Sequence, residues 1–284
     1  MSENKWSDDK IKEEVRNQYA TLVTSEGSSS CCGPVDSCCS PTETMKGNLV
    51  KSSGYSDADL QNLPAEAVEN SFGCGNPLAF AGVKEGQTVL DIGSGAGIDC
   101  FIAADKVGKS GKVIGLDMTP EMIRKATENA LKGGYTQVEF RMGEAENMPV
   151  EDSSVDWVIS NCVINLSPDK KKVFAETSRI LKSGGQFSIS DIVLGDDLPE
   201  FIANNIYAWT GCIAGAIKET DYLQGLRDAG LTDVEVESRI VFEESTLKGF
   251  MEKYEVQLNG EDGQSILKQV AGRIWSAKIV GKKS

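Results

Sequence analysis

The chain contains no histidine. No imidazole is therefore available to assist a nucleophile or to ligate a metal. Positive charge is also short: 29 Lys and Arg stand against 43 Asp and Glu, for a net charge of −14. Such a chain repels phosphate backbones and anionic lipid surfaces, so neither nucleic acid nor membrane is an expected partner. No apolar run is long enough to span a bilayer. The opening MSENKWSDDK is polar and acidic, without the apolar region of a signal peptide. The expectation is a cytoplasmic protein, whose thiols stay reduced.

Against these absences stand eight cysteines in 284 residues. In a reducing compartment they read as ligands, nucleophiles or core fillers rather than as a disulfide framework. Four of them, Cys31, Cys32, Cys38 and Cys39, lie in TSEGSSSCCGPVDSCCSPTETMKG, a Ser-, Gly- and Pro-rich stretch without a period, expected to be a mobile loop. Before it, residues 7–23 predict a helix. Ser7 is its cap, and Ile11, Val15, Tyr19 and Leu22 share one face.

From about residue 87 strands alternate with helices, the signature of an α/β fold with a mostly parallel twisted sheet. TVLDIG, KVIGLD, VEFRMG, VDWVIS and QFSISDIV are the expected strands. Thr119-Pro120 should open one helix and Ser167-Pro168 another that runs on to the glycines at 184–185. Residues 198–229 look helical, with a break near Gly211 and Gly215. TDVEVESRIVF predicts a late, antiparallel edge strand, and 245–284 a small helical appendage.

LDIGSGAG, residues 90–97, closes a strand and opens a helix. Gly93, Gly95 and Gly97 permit a tight turn and close approach of a ligand. Twenty residues on, Asp117 ends the second strand, where an acid can accept hydrogen bonds from both ribose hydroxyls. The G-x-G-x-G spacing differs from that of pyrophosphate cofactors, and Asp91 beside the loop favours a cation over a phosphate. These residues, together with RMGEAENMP, resemble the class I methyltransferases that use S-adenosylmethionine (SAM). The resemblance implies a Rossmann-like fold with helices on both faces of the sheet. It places Gly93, Ser94, Gly95 and Gly97 under the methionine part and Asp117 at the ribose. Met118, Glu144 and Ala145 would lie by the adenine, and Asn161 near the reactive end.

Three further cysteine contexts, FGCGNP at Cys74, SNCVINL at Cys162 and TGCIAGA at Cys212, are similar to those of arsenite methyltransferases. The likeness implies that Cys162 and Cys212 bind As(III), with Cys74 as a third thiol. It also implies that an N-terminal cysteine pairs with Cys74 during turnover, the reductant being thioredoxin or glutathione. CCGPVDSCC departs from the simpler family pattern and leaves open which of Cys31, Cys32, Cys38 and Cys39 that is. The physics agrees: soft thiolates select a soft ion, and an arsenic lone pair carries no proton, so its attack on a sulfonium methyl needs no general base. The substrate would be arsenite or its thiol conjugates. The expected organisation is an N-terminal helix and cysteine-rich loop over 1–54 and a methyltransferase domain over 55–242, with an arsenic-binding lid near 195–225. A small segment over 243–284 would follow. Cys100, inside IDCFIAADKV, is expected in the core. The alternatives are a SAM methyltransferase of an organic metabolite, a non-catalytic metalloid or zinc binder and a nicotinamide redox enzyme.

Overall fold

The computed structural model describes residues 6–24, 63–69, 82–197, 214–244 and 270–284. Helix α1 spans Asp8–Thr24 and α2 Ala65–Glu69. Then come β1 (Thr88–Ile92), α3 (Ile98–Val107), β2 (Lys112–Asp117), α4 (Pro120–Gly133), β3 (Val138–Met142) and β4 (Val155–Asn161). A 3-10 turn at Ile164–Leu166 leads to α5 (Lys170–Ile180) and β5 (Leu181–Leu194). The last elements are α6 (Glu219–Asp228), β6 (Leu231–Val241) and β7 (Ile274–Lys283).

The strands form one sheet in the order β3-β2-β1-β4-β5-β7-β6. Pairings among β1 to β5 are parallel, and β7 runs antiparallel to both its neighbours. Successive strand residues face opposite sides. Val89, Val113, Trp157 and Ile159 therefore pack with α3, whereas Leu90, Ile114 and Val158 pack with Phe174 of α5 and Tyr222 of α6. Helices thus cover both faces, as expected. Strands buried on both sides explain the near-continuous apolar runs of VLDI and VDWVIS. Trp157 and Cys100 belong to the core.

Several boundaries differ from expectation. The helix predicted from Ser167-Pro168 starts at Lys170, because Asp169 is its cap and accepts from the Lys172 amide at 3.2 Å. The Ser167 hydroxyl donates to Glu146 at 2.7 Å and accepts from the amide of the cap residue Asp169 at 3.1 Å, so it stands one turn before the helix proper. That helix also ends before the glycines: Leu181 pairs with Val155, drawing residues 181–185 into β5. The largest correction is at the C-terminus. Residues 274–283, expected in a helical appendage, form β7 between β5 and β6, so they belong to the main sheet. The late strand β6 is antiparallel and at the edge, as expected. Of the segment expected to be helical over 198–229, residues 198–213 lie outside the described residues, and α6 forms from Glu219.

The loop after β3 is fixed from α5. Arg179 donates to both carboxylate oxygens of Glu176, at 2.6 and 2.8 Å, and to the carbonyls of Met148 and Val150. Glu176 in turn accepts from the Met148 amide at 2.7 Å. The Arg179 guanidinium and that amide hold the Glu176 carboxyl below its usual range, against the opposing effect of burial. A lowered carboxylate pKa stabilises the fold above the unfolded-state value and loses that contribution as pH falls through the folded value. Glu176→Gln should therefore lower the melting temperature clearly at about pH 7 and progressively less between about pH 5 and pH 3. Thermal unfolding followed by circular dichroism reads this, and an equal loss at every pH would contradict it.

Candidate functional site

The strand order reverses between β1 and β4. In open α/β sheets that reversal leaves a crevice beyond the carboxyl ends of the strands. A cavity of about 990 Å³, counting its open mouth, lies at those ends. The turn after β1 forms one wall. Gly93, Gly95 and Gly97 have φ of 73°, 51° and 97°, the left-handed region that side chains disfavour. Two are crowded besides: a Cβ on Gly93 would strike Val163, and one on Gly97 would come within 2.8 Å of Phe101. Gly95 lines the cavity, and a Cβ there would meet no protein atom within 4 Å.

Carboxylates crowd this wall. Asp117, at the end of β2, accepts from the amides of Gly95 at 3.0 Å and Thr119 at 2.8 Å. Burial raises the Asp117 pKa, while these amides pull it back. Asp91 lies beneath the loop, 2% exposed, and accepts from the Cys100 thiol at 3.4 Å. Burial lifts its pKa well above the carboxylate range, and the charges of Asp99 and Asp117 push the same way. Asp99, in the first turn of α3, is buried, lines the cavity and accepts from the Asn161 side-chain amide at 3.5 Å. Gathered acids in a low-dielectric wall favour a cationic ligand. Ser94 adds a buried hydroxyl oxygen that lines the cavity without a hydrogen-bond partner. An orphaned hydroxyl, an aspartate on the cavity wall at the end of β2 and two further acids beside it fit a sulfonium nucleoside bearing an ammonium.

Of the residues predicted to meet the cofactor, Gly93, Ser94, Gly95, Asp117, Met118, Ala145 and Asn161 line the cavity. Asp91, Gly97 and Glu144 support its wall from behind or beside it. Cys162, one residue past β4, also lines the cavity; it is 4% exposed and has φ 57°, unusual for a residue with a side chain. Contrary to the expectation of reduced thiols, its sulfur is disulfide-bonded, so that bond must be reduced before Cys162 can serve as a thiolate ligand; Cys100 is free. Cys74, Cys212 and the four N-terminal cysteines lie outside the described residues.

The sequence reading missed one whole side of the site. Helix α1 brings Lys12, Val15 and Tyr19 to the cavity. Lys12 pairs with Glu144 at 2.6 Å and Glu146 at 3.3 Å, which flank Ala145. The signal was present, since Val15 and Tyr19 share an apolar face that needs cover, but sequence does not say against what. Asp99, also on the cavity wall, was not among the expected site residues.

Comparison with known proteins fits this geometry. A family described as "Methyltransferase domain" matches residues 83–230. The chain belongs to that family. Its fold is that of the class I SAM-dependent methyltransferases. Within the family it is similar to an arsenite methyltransferase of Halobacterium salinarum, 46% identical over 80% of this chain and 59% of that one. The arsenite methyltransferase of Rattus norvegicus is 32% identical over 74% of this chain and 56% of that one. The chain thus spans under two thirds of the length of these relatives. A crystal structure of an arsenic(III) SAM methyltransferase from Chlamydomonas reinhardtii superposes with a TM-score of 0.66 at 33% identity. That match covers 80% of this chain and 72% of that one. No helix among the described residues is long and apolar enough to cross a membrane.

The two glycines separate fold from binding. Gly95→Ala should weaken SAM binding by about tenfold or more because its Cβ enters ligand space, and should lose only about 1–2 kcal/mol of stability, the cost of a left-handed backbone to a residue with a side chain. Gly93→Ala should lose stability as well, because its Cβ strikes Val163. Calorimetric titration and thermal unfolding of both variants check this; normal SAM affinity in Gly95→Ala would contradict it.

Proposed function

We propose that this methyltransferase-family protein methylates trivalent arsenic with SAM. The observation that carries the reading is the position of Cys162, whose buried side chain lines the same cavity as the glycine loop and Asp117. The similarity to arsenite methyltransferases from an archaeon, a mammal and an alga supports it.

On this reading Gly93, Ser94 and Gly95 lie under the methionine part, with Asp99 on the cavity wall facing its positive charge and Asp91 behind the loop. Asp117 takes the ribose hydroxyls, Met118, Glu144 and Ala145 flank the adenine, and Asn161 lies near the reactive end. When bound, SAM supplies an electrophilic methyl group on a sulfonium. Thiolates of Cys162, Cys212 and Cys74 hold As(III), delivered as arsenite or its thiol conjugates, so binding releases protons. The arsenic lone pair attacks the methyl carbon. An As–C bond forms, the C–S bond breaks, and its electron pair stays on the departing sulfur. No proton leaves the nucleophile, so the chain needs no imidazole base. Positioning is then the main demand on the protein.

The transfer leaves arsenic formally pentavalent. Returning it to the trivalent state takes two electrons, which two thiols provide by closing a disulfide. Cys74 and one of Cys31, Cys32, Cys38 or Cys39 form the proposed pair, reset by thioredoxin or glutathione.

The test is conversion of SAM to S-adenosylhomocysteine with and without arsenite, under thiol reductant, with arsenic species resolved by chromatography and mass detection. The parent should yield methylated arsenic, and Cys162→Ser none above background. SAM binding without arsenic methylation would make an organic acceptor the better reading. Replacing Cys31, Cys32, Cys38 and Cys39 together by serine should spare a single turnover and stop further ones. Full multiple turnover in that variant would remove the N-terminal cysteines from the cycle.

A further inference from the structure

Cys162 holds a left-handed conformation despite its side chain. Such a residue persists only where its surroundings over-determine it. Three consecutive residues of β5 do so here. The Ser190 carbonyl accepts from the Cys162 amide at 2.7 Å. The Asp191 carboxylate accepts from the backbone amide of Asn165 at 3.1 Å and from its side-chain amide at 2.9 Å. The Ile192 carbonyl accepts from the same side-chain amide at 2.6 Å. Asp191 also receives the Ile192 amide at 3.0 Å and the Tyr222 hydroxyl at 3.2 Å.

Asp191, Asn165 and Tyr222 are each 0% exposed. Water does not compete for these bonds, and every donor of the Asn165 and Tyr222 side chains aimed at Asp191 is paired there, although the Asn165 side-chain oxygen is left without a partner. Asn165 sits in the 3-10 turn three residues beyond Cys162, and Tyr222 comes from α6. One carboxylate therefore joins the end of β5, the turn after Cys162 and a helix. None of the three side chains lines the cavity, so none is placed to touch substrate.

We infer that Asp191, through Asn165 and with Tyr222, is a positioning residue that holds the Cys162 thiol at the arsenic-bearing end of the cavity. The inference rests on the arsenic reading of that site. Burial pushes the Asp191 pKa up to about 7, while the Ile192 amide, the Lys170 charge, the Tyr222 hydroxyl and the Asn165 amide pull it back. The carboxylate form suits the place because it only accepts, and four donors converge on it. An amide of the same shape would turn an NH₂ group against some of those donors. Segment 162–165 would then lose its anchor, while the glycine loop, Asp117 and Asp99 would keep theirs.

Two variants of the full chain, Asp191→Asn and Tyr222→Phe, test this. Arsenite binding to the reduced protein would be measured by equilibrium dialysis with arsenic quantified by mass spectrometry. SAM binding would be measured by calorimetry, and arsenite KM and kcat by S-adenosylhomocysteine formation. Asp191→Asn should raise arsenite Kd and KM about tenfold and Tyr222→Phe about threefold, with SAM affinity within about twofold of the parent. Unchanged arsenite affinity, or equal losses for arsenite and SAM, would overturn the inference. If Asp191→Asn does not fold, Tyr222→Phe decides alone by the same criteria. A parent that binds SAM but no arsenite would defeat the arsenic reading itself, and the positioning role with it.

Discussion

Everything in the site depends on the pairing of β1 with both β2 and β4 at the centre of the sheet. Leu90 lies between Ile114 and Val158, and Asp91 between Gly115 and Ile159. Those pairings bring three strand ends to one edge and leave a crevice where the order reverses. The chain must then turn sharply after β1 without filling the space it has opened. Gly93 and Gly97 serve the turn, since side chains there would strike Val163 and Phe101, and Gly95 keeps the ligand's side bare. At β4 the chain places a cysteine instead, and its left-handed backbone costs about 1–2 kcal/mol that glycine would not incur. A side chain is retained at a strained position, which points to the thiol as the reason for the strain.

Charge follows from the same geometry. Parallel strands ending side by side bring Asp91, Asp117 and, from the first turn of α3, Asp99 into one buried wall. Isolated, each would be costly, and burial raises the pKa of both Asp91 and Asp117. A ligand carrying positive charge relieves that cost, whereas a dinucleotide pyrophosphate would add to it. The wall therefore distinguishes SAM from a nicotinamide cofactor more sharply than the glycine spacing alone does. The Lys12 pairs with Glu144 and Glu146 act at the rim. They tie α1 across the cavity and neutralise carboxylates beside the expected adenine position.

Much of this could be read from the residues. The β-branched runs located β1, β2, β3 and β4 within a residue or two, and the glycine loop and Asp117 were identifiable by spacing. What escaped depends on contacts distant in sequence. RIWSAKIVGKK does not announce a strand, because β7 exists through pairing with β5 nearly ninety residues earlier and with β6. LKSGG read as a helix end, yet Leu181 is claimed by Val155 across the sheet. The apolar face of α1 was visible, but not its partners: Ile11 and Val15 pack with Cys162, Leu166, Ile192 and Ile274, beside a cavity lined by six other elements. The Asp191 network was equally hidden, for SISDIV reads as an ordinary buried strand until Asn165 and Tyr222 converge on its one acid.

The missing histidine and the strained cysteine then belong to one argument. A nucleophile that arrives with a proton needs a base tuned near neutrality, and imidazole is the usual choice. An arsenic lone pair arrives with none, so the chemical demand shifts from proton transfer to placement. On the proposed reading, placement is what the buried framework behind Cys162 supplies: hydrogen bonds accepted by three successive β5 residues fix a four-residue segment. An imidazole at the site would add a titrating group to a step with no proton to move.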